Sequence, residues 1–172
     1  MSSLKVPNVP IMEKKKENGL CNRYLDPLLC GLFDDPDSDV FFRWTNARPK
    51  EAKDENSDLT SERADAVISS LNSAKWSSSQ GFGEAKCSDE PENIYLTSMD
   101  LVRLDIFSKS SIDRHSMRNV QTLQAIGTPT TFYITIYTHD SLYIMYEIAE
   151  ILAPRCVDDV LKYLMNLNKF VL

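Results

Sequence analysis

One uninterrupted stretch of helical periodicity, from Glu92 to about Ile112, divides the chain: three extended segments precede it and three follow it. Tyr95, Met99, Val102 and Ile106 mark a stripe along this stretch, and Leu101, Leu104 and Phe107 widen it. Apolar residues at steps of three and four fall on one face of a helix, and a face this apolar has to lie against a sheet. The extended segments are Val40–Trp44, Ala64–Leu71 and Gly81–Cys87 before the helix, then Val120–Ile126, Thr130–Tyr137 and Leu142–Ala149 after it. Their β-branched and aromatic residues suit strands. Serines, with Trp76 among them, read as the turn between the second and third strands. Gly127 with Pro129, and His139 with Asp140, read as the turns between the later ones.

Two further helical segments bracket this pattern. Residues 12–30 place Glu17, Leu20, Cys21, Tyr24 and Leu28 on one face, with Pro27 set to kink or split the helix and Gly31 and the acidic run from Asp34 to end it. After Pro154, the residues Val157, Val160, Leu161, Leu164 and Leu167 are spaced for burial on a final amphipathic helix. The expected fold is therefore of the α/β (α+β) class: a mixed central β-sheet flanked by helices, containing an αβββαβ core. Residues 1–11 read as a loose N-terminal arm and 12–172 as one domain. Residues 47–62, polar and highly charged, read as a long exposed loop and the most mobile internal stretch.

Several function classes are excluded by composition. Five glycines in 172 residues leave no place for a phosphate-cradling or dinucleotide-binding loop. No apolar run approaches the roughly 20 residues that span a bilayer, and no apolar leader follows Met1, so the expected compartment is the nucleus or cytoplasm, without membrane association. Cys21, Cys30, Cys87 and Cys156 form no CxxC pair, and neither His115 nor His139 has a cysteine at ligand spacing, which argues for free thiols and against zinc. A net charge of −6 argues against holding nucleic acid through bulk charge. It leaves room for a carboxylate-lined cation site, where the bound metal offsets the charge locally.

The chemistry-bearing residues are "RAD" at 63–65 and "GEAK" at 83–86. Side chains two apart on a strand share a face, so Glu84 and Lys86 project together and Ala85 projects the other way. Asp65 opens the preceding strand, and antiparallel pairing of the two would bring it beside Glu84. Two carboxylates on one face make a hard-oxygen site for Mg²⁺ or Mn²⁺. Phosphodiester hydrolysis needs a cation on the phosphate, a deprotonated water and stabilisation of the leaving oxygen, and Lys86 is placed to orient that water or to offset developing charge.

An aspartate, about 19 intervening residues and E-x-K on successive strands followed by a helix resemble the PD-(D/E)xK superfamily of metal-dependent nucleases, over roughly residues 13 to 150. The wider chain, with "RWTN" at 43–46, also resembles proteins expanded in early-diverging fungi. The superfamily resemblance implies a restriction-endonuclease-like fold, a divalent cation held by Asp65 and Glu84, catalysis assisted by Lys86, and DNA or RNA as substrate. It also implies a place for an acid on the first helix, which Glu17 fits. Ala64 stands where the motif's name carries proline, a loss common in the superfamily.

Each of these residues has a plainer reading. Glu84 and Lys86 could form a surface ion pair worth at most about 1 kcal/mol, although Gly83, Ala85 and Cys87 around them suggest an interior strand. Asp65 could be a turn residue and Glu17 an ordinary helix-surface charge. Gln121 and Gln124 are additional candidates for reaching the site, against a half-exposed strand face. His115 reads as solvated or capping, Lys14 to Lys16 as a solvated run, and the tyrosines at 133, 137, 143 and 146 as sheet packing. The competing function is a nuclease-fold scaffold or binding module without turnover. A third reading, compatible with the apolar ending "NKFVL", is a fragment or divergent copy of a mobile-element or host-defence protein.

Overall fold

The computed structural model describes residues 17–47, 63–87, 94–138 and 140–160. The first helical run is α1 (Glu17–Leu20), a π-helical turn over Cys21–Leu25 and α2 (Asp26–Phe33). Three strands follow, β1 (Val40–Ala47), β2 (Ala64–Asn72) and β3 (Lys75–Lys86), then α3 (Ile94–His115), then β4 (Asn119–Ile126), β5 (Pro129–Tyr137) and β6 (Tyr143–Leu152). The strands form one six-stranded sheet in sequence order. Every neighbouring pair is antiparallel except β3 and β4, which run parallel with α3 as the connection between them. The expected mixed sheet flanked by helices is the one observed.

Strand alternation gives the sheet two dry faces. On one, Leu20, Tyr24, Leu25, Leu28 and Leu29 pack on Phe42, Ala66, Ile68, Ala85, Leu123 and Phe132. On the other, Leu104, Phe107 and Ile112 of α3 pack on Val67, Phe82 and Val120. Phe82 and Phe107 stack there at 5.2 Å between ring centroids. Gly81 and Gly83 lie in β3 under the first face, where a Cβ on Gly81 would stand 2.6 Å from the Gln121 carbonyl oxygen. β3 is thus pressed closely between its neighbours, and it is the strand that carries Glu84 and Lys86.

Several expectations are corrected. The helix after residue 12 does not stop at Gly31 but runs to Phe33, and it is split just ahead of Pro27, where the π-helical turn Cys21–Leu25 separates α1 from α2. The serine-rich segment is not a turn: Lys75 to Gln80 belong to β3, with Lys75, Trp76 and Ser79 paired to β2 across register shifts, and the turn is Ser73-Ala74 alone. The stripe of Tyr95, Met99, Val102 and Ile106 is exposed. The buried face of α3 is instead Asp100, Leu104, Phe107, Ser108, Ser111 and Ile112. Small serines let α3 approach the sheet closely enough for the Ser111 hydroxyl to donate to the Ser79 carbonyl at 2.5 Å, and a larger residue there would hold it off.

The N-terminal arm, Lys14 to Lys16, most of the loop assigned to 47–62, His139 and the C-terminal helix beyond Val160 lie outside the described residues. Among the described residues no helix is long and apolar enough to cross a membrane.

Candidate functional site

The β2–β3 hairpin sets the site. Ala66 pairs with Gly83, so Asp65 and Glu84 come opposite each other one step along the ladder, on the face that α3 covers. The Asp65 carboxylate accepts the Ala85 backbone N–H at 3.0 Å, and it also meets the Glu84 side chain in a hydrogen bond. Lys86 follows two residues on, on the same face. β3 ends here: the Gly127 N–H donates to the Lys86 carbonyl at 2.8 Å, with Gly127 at a φ of 70° in the turn out of β4. The pairing that sequence spacing suggested for Asp65, Glu84 and Lys86 is therefore the geometry found.

Glu84 is buried, with 1 % of its surface exposed. Burial first, and then the nearby Asp65 carboxylate, push its carboxyl up to about 9 against an opposing pull from the Arg103 guanidinium. Such a group holds its proton at neutral pH unless a cation takes the proton's place. Its Oε1 has no hydrogen-bond partner, a costly condition for a buried oxygen.

Two residues of α3 complete the cluster, and sequence reasoning missed both. Asp100, 1 % exposed, pairs with Arg103 one turn later and lies 3.7 Å from the Lys86 ammonium. Arg103 reaches back to Glu84 at 3.9 Å, beyond hydrogen-bond length. Asp100 stands four residues before Leu104 and seven before Phe107, in register with the buried face of α3. A carboxylate on that register was the available signal, masked by the more apolar stripe beside it.

Gln124 sits beside Glu84 in the parallel ladder, and its side-chain amide donates to the Thr97 carbonyl at 2.9 Å, fastening α3 to β4 at the edge of the site. Gln121 is not brought in. It is exposed and lines clefts with Leu32 and Phe33 on the α2 side of the sheet, away from the carboxylates. His115 closes the last turn of α3, at the helix end opposite Asp100 and Arg103. Glu17 begins α1, but its side chain lies outside the described ones.

The donor set suits a hard divalent cation. Asp65 and Glu84 supply oxygens, and the orphaned Glu84 Oε1 is an acceptor lacking a positive partner at bonding distance. Among the described residues no cluster of three or more His, Cys, Asp or Glu is grouped to hold a metal, and the buried Asp100 Oδ2, 3.7 Å from the Lys86 ammonium, also has no hydrogen-bond partner. No family model, curated protein or solved structure matches this chain.

Proposed function

We propose that the protein is a metal-dependent phosphodiester hydrolase acting on DNA or RNA, of the PD-(D/E)xK kind. The observation that carries this reading is the juxtaposition of Asp65 with a buried Glu84 held near a pKa of 9, with Lys86 on the same face. A strand interior does not bury a second carboxylate beside the first without a reason, because each makes the other's charge more costly. The element order supports the reading, with Asp65 and the E-x-K segment on paired strands and α3 following directly. Asp65 and Glu84 would hold Mg²⁺ or Mn²⁺, which when bound would supply charge neutralisation at the phosphate and a more acidic water. Lys86, its side chain 29 % exposed and its ammonium 3.7 Å from Asp100, orients that water or offsets charge on the leaving oxygen.

The test is calorimetric titration with Mg²⁺ and Mn²⁺, followed by incubation with single- and double-stranded DNA and RNA. The hydrolase reading expects cation binding at millimolar concentration or tighter and cation-dependent cleavage that Lys86→Ala abolishes. Cation binding without cleavage of any substrate would leave the scaffold reading, which the net charge of −6 favours. Absence of both would remove the metal site itself.

A further inference from the structure

The site contains more positive charge than the E-x-K pattern accounts for, and the extra cation is Arg103. Its guanidinium is bound at one end to Asp100, which also faces Lys86. Asp100 therefore faces both cations. Asp100 is buried, whereas the side chains of Lys86 and Arg103 are 29 % and 27 % exposed. Both cations are thus open to solvent beside two buried carboxylates, Glu84 and Asp100. The 3.9 Å from Arg103 to Glu84 is too long for a hydrogen bond, whereas the pairing with Asp100 is direct.

We infer that Arg103 is a phosphate ligand of the site, that Asp100 is the residue that positions it, and that the ligand class is a nucleic-acid phosphodiester gripped between Arg103 and Lys86. This rests on the hydrolase reading above. A planar guanidinium presents paired N–H donors that match two phosphate oxygens, which an ammonium cannot do. With Lys86 assigned to the attacking water or the leaving oxygen, Arg103 is the second cation at the site and takes a non-bridging oxygen. The competing account is that Arg103 only offsets the buried charges of Asp100 and Glu84.

Binding measured against salt separates the two accounts. A residue that neutralises a phosphate contributes about one unit to the slope of log K against log salt, and an internal counter-ion contributes none. Labelled DNA and RNA oligonucleotides, single- and double-stranded, are titrated with the full chain by fluorescence anisotropy, with Ca²⁺ replacing Mg²⁺ to suppress cleavage. Arg103→Gln can still donate to Asp100. It should weaken binding about tenfold or more and flatten the salt slope by about one, while Ca²⁺ affinity measured by calorimetry stays within about twofold of the parent's or tightens. Arg103→Lys should keep the slope and weaken binding by a smaller factor, since a point charge replaces the fork. Asp100→Asn should keep the slope and weaken binding severalfold, as the guanidinium loses its anchor.

An Arg103→Gln variant with the parent's affinity and slope overturns the inference while leaving the hydrolase reading intact. Should that variant not fold, Arg103→Lys decides, because parent-like affinity there assigns Arg103 to counter-ion duty alone. A parent that binds neither Ca²⁺ nor any oligonucleotide overturns the hydrolase reading and this inference together.

Discussion

The backbone N–H of Ala85 donates to the carboxylate of Asp65 at 3.0 Å, tying the side chain that opens β2 to the strand that carries Glu84 and Lys86. Ala85 itself points to the opposite face and packs with the α2 cluster. The bond fixes the Asp65 carboxylate beside Glu84 independently of any ligand. Asp65→Asn keeps the acceptor oxygen and the shape but removes the charge. The variant should therefore fold as the parent does, with metal-free stability unchanged or raised because one of two adjacent carboxylates is gone. Divalent-cation affinity should fall at least about tenfold. Thermal unfolding with and without Mg²⁺ reads both effects: the parent should gain stability from Mg²⁺ and the variant should gain little.

The residues that form this site were legible because strand parity is a local property. Glu84 and Lys86 share a face whatever the rest of the fold does, and Asp65 needed only an antiparallel hairpin to reach them. α3 was less legible. Its exposed side carries Tyr95, Met99, Val102 and Ile106, more apolar than the buried side with its Asp100, Ser108 and Ser111. Periodicity ranks faces by hydrophobicity, whereas here closeness of approach and ion pairing decided which face turned inward. Ser108 satisfies its hydroxyl on the Leu104 carbonyl, and Asp100 pairs with Arg103 through Oδ1 while its Oδ2 lies 3.7 Å from the Lys86 ammonium without a hydrogen bond. The Ser108 and Arg103 contacts lie within α3 at spacings of four and three and hold on any face of the helix, so they do not say which face turns inward; the Lys86 contact is tertiary and leaves no trace in spacing.

The two strand glycines under Glu84 should respond differently to alanine. At Gly81 a Cβ would stand 2.6 Å from the Gln121 carbonyl oxygen and 2.7 Å from Ile68 Cδ1. The first neighbour is backbone of the parallel ladder and cannot move without opening β4 from β3. At Gly83 the nearest atoms are side-chain carbons of Leu123 and Ala66, at 3.0 to 3.2 Å. Gly81→Ala should cost about 1–3 kcal/mol, and Gly83→Ala should cost distinctly less. Urea unfolding of the two variants checks the order, and equal losses would contradict it.

The hairpin that brings Asp65 to Glu84 turns through Ser73 and Ala74, with φ of 49° and 62°, a two-residue connection in which both residues adopt a left-handed backbone. This is the turn geometry for which Asn-Gly is strongly preferred, and its absence from the sequence is why the turn was placed among the serines farther on. A left-handed conformation costs a non-glycine residue roughly 1–2 kcal/mol, partly returned to glycine as lost chain entropy. Ser73→Asn with Ala74→Gly should therefore stabilise the protein by about 0.5–1 kcal/mol. Neither side chain belongs to the site, so cation affinity should stay at the parent's value.

Glu84 gives the site a pH dependence whose sign follows from linkage. The folded chain keeps a proton on this carboxyl up to about pH 9, while in the unfolded chain the group loses it near its ordinary value of 4.5. Between those limits the native state binds more protons, so metal-free stability falls as pH rises through the window and levels off above about 9. Glu84→Gln has no proton to lose. It should be more stable than the parent at neutral pH and above, with the difference growing across the same window. A cation taken up at Glu84 has to displace the proton, so the parent's Mg²⁺ affinity should climb with pH up to about 9. Calorimetry at pH 7 in buffers of different ionisation enthalpy should show a proton leaving as Mg²⁺ binds. Heats that do not depend on the buffer, or a Glu84→Gln variant whose stability runs parallel to the parent's between pH 5 and 9, would show that Glu84 is already ionised in the folded chain.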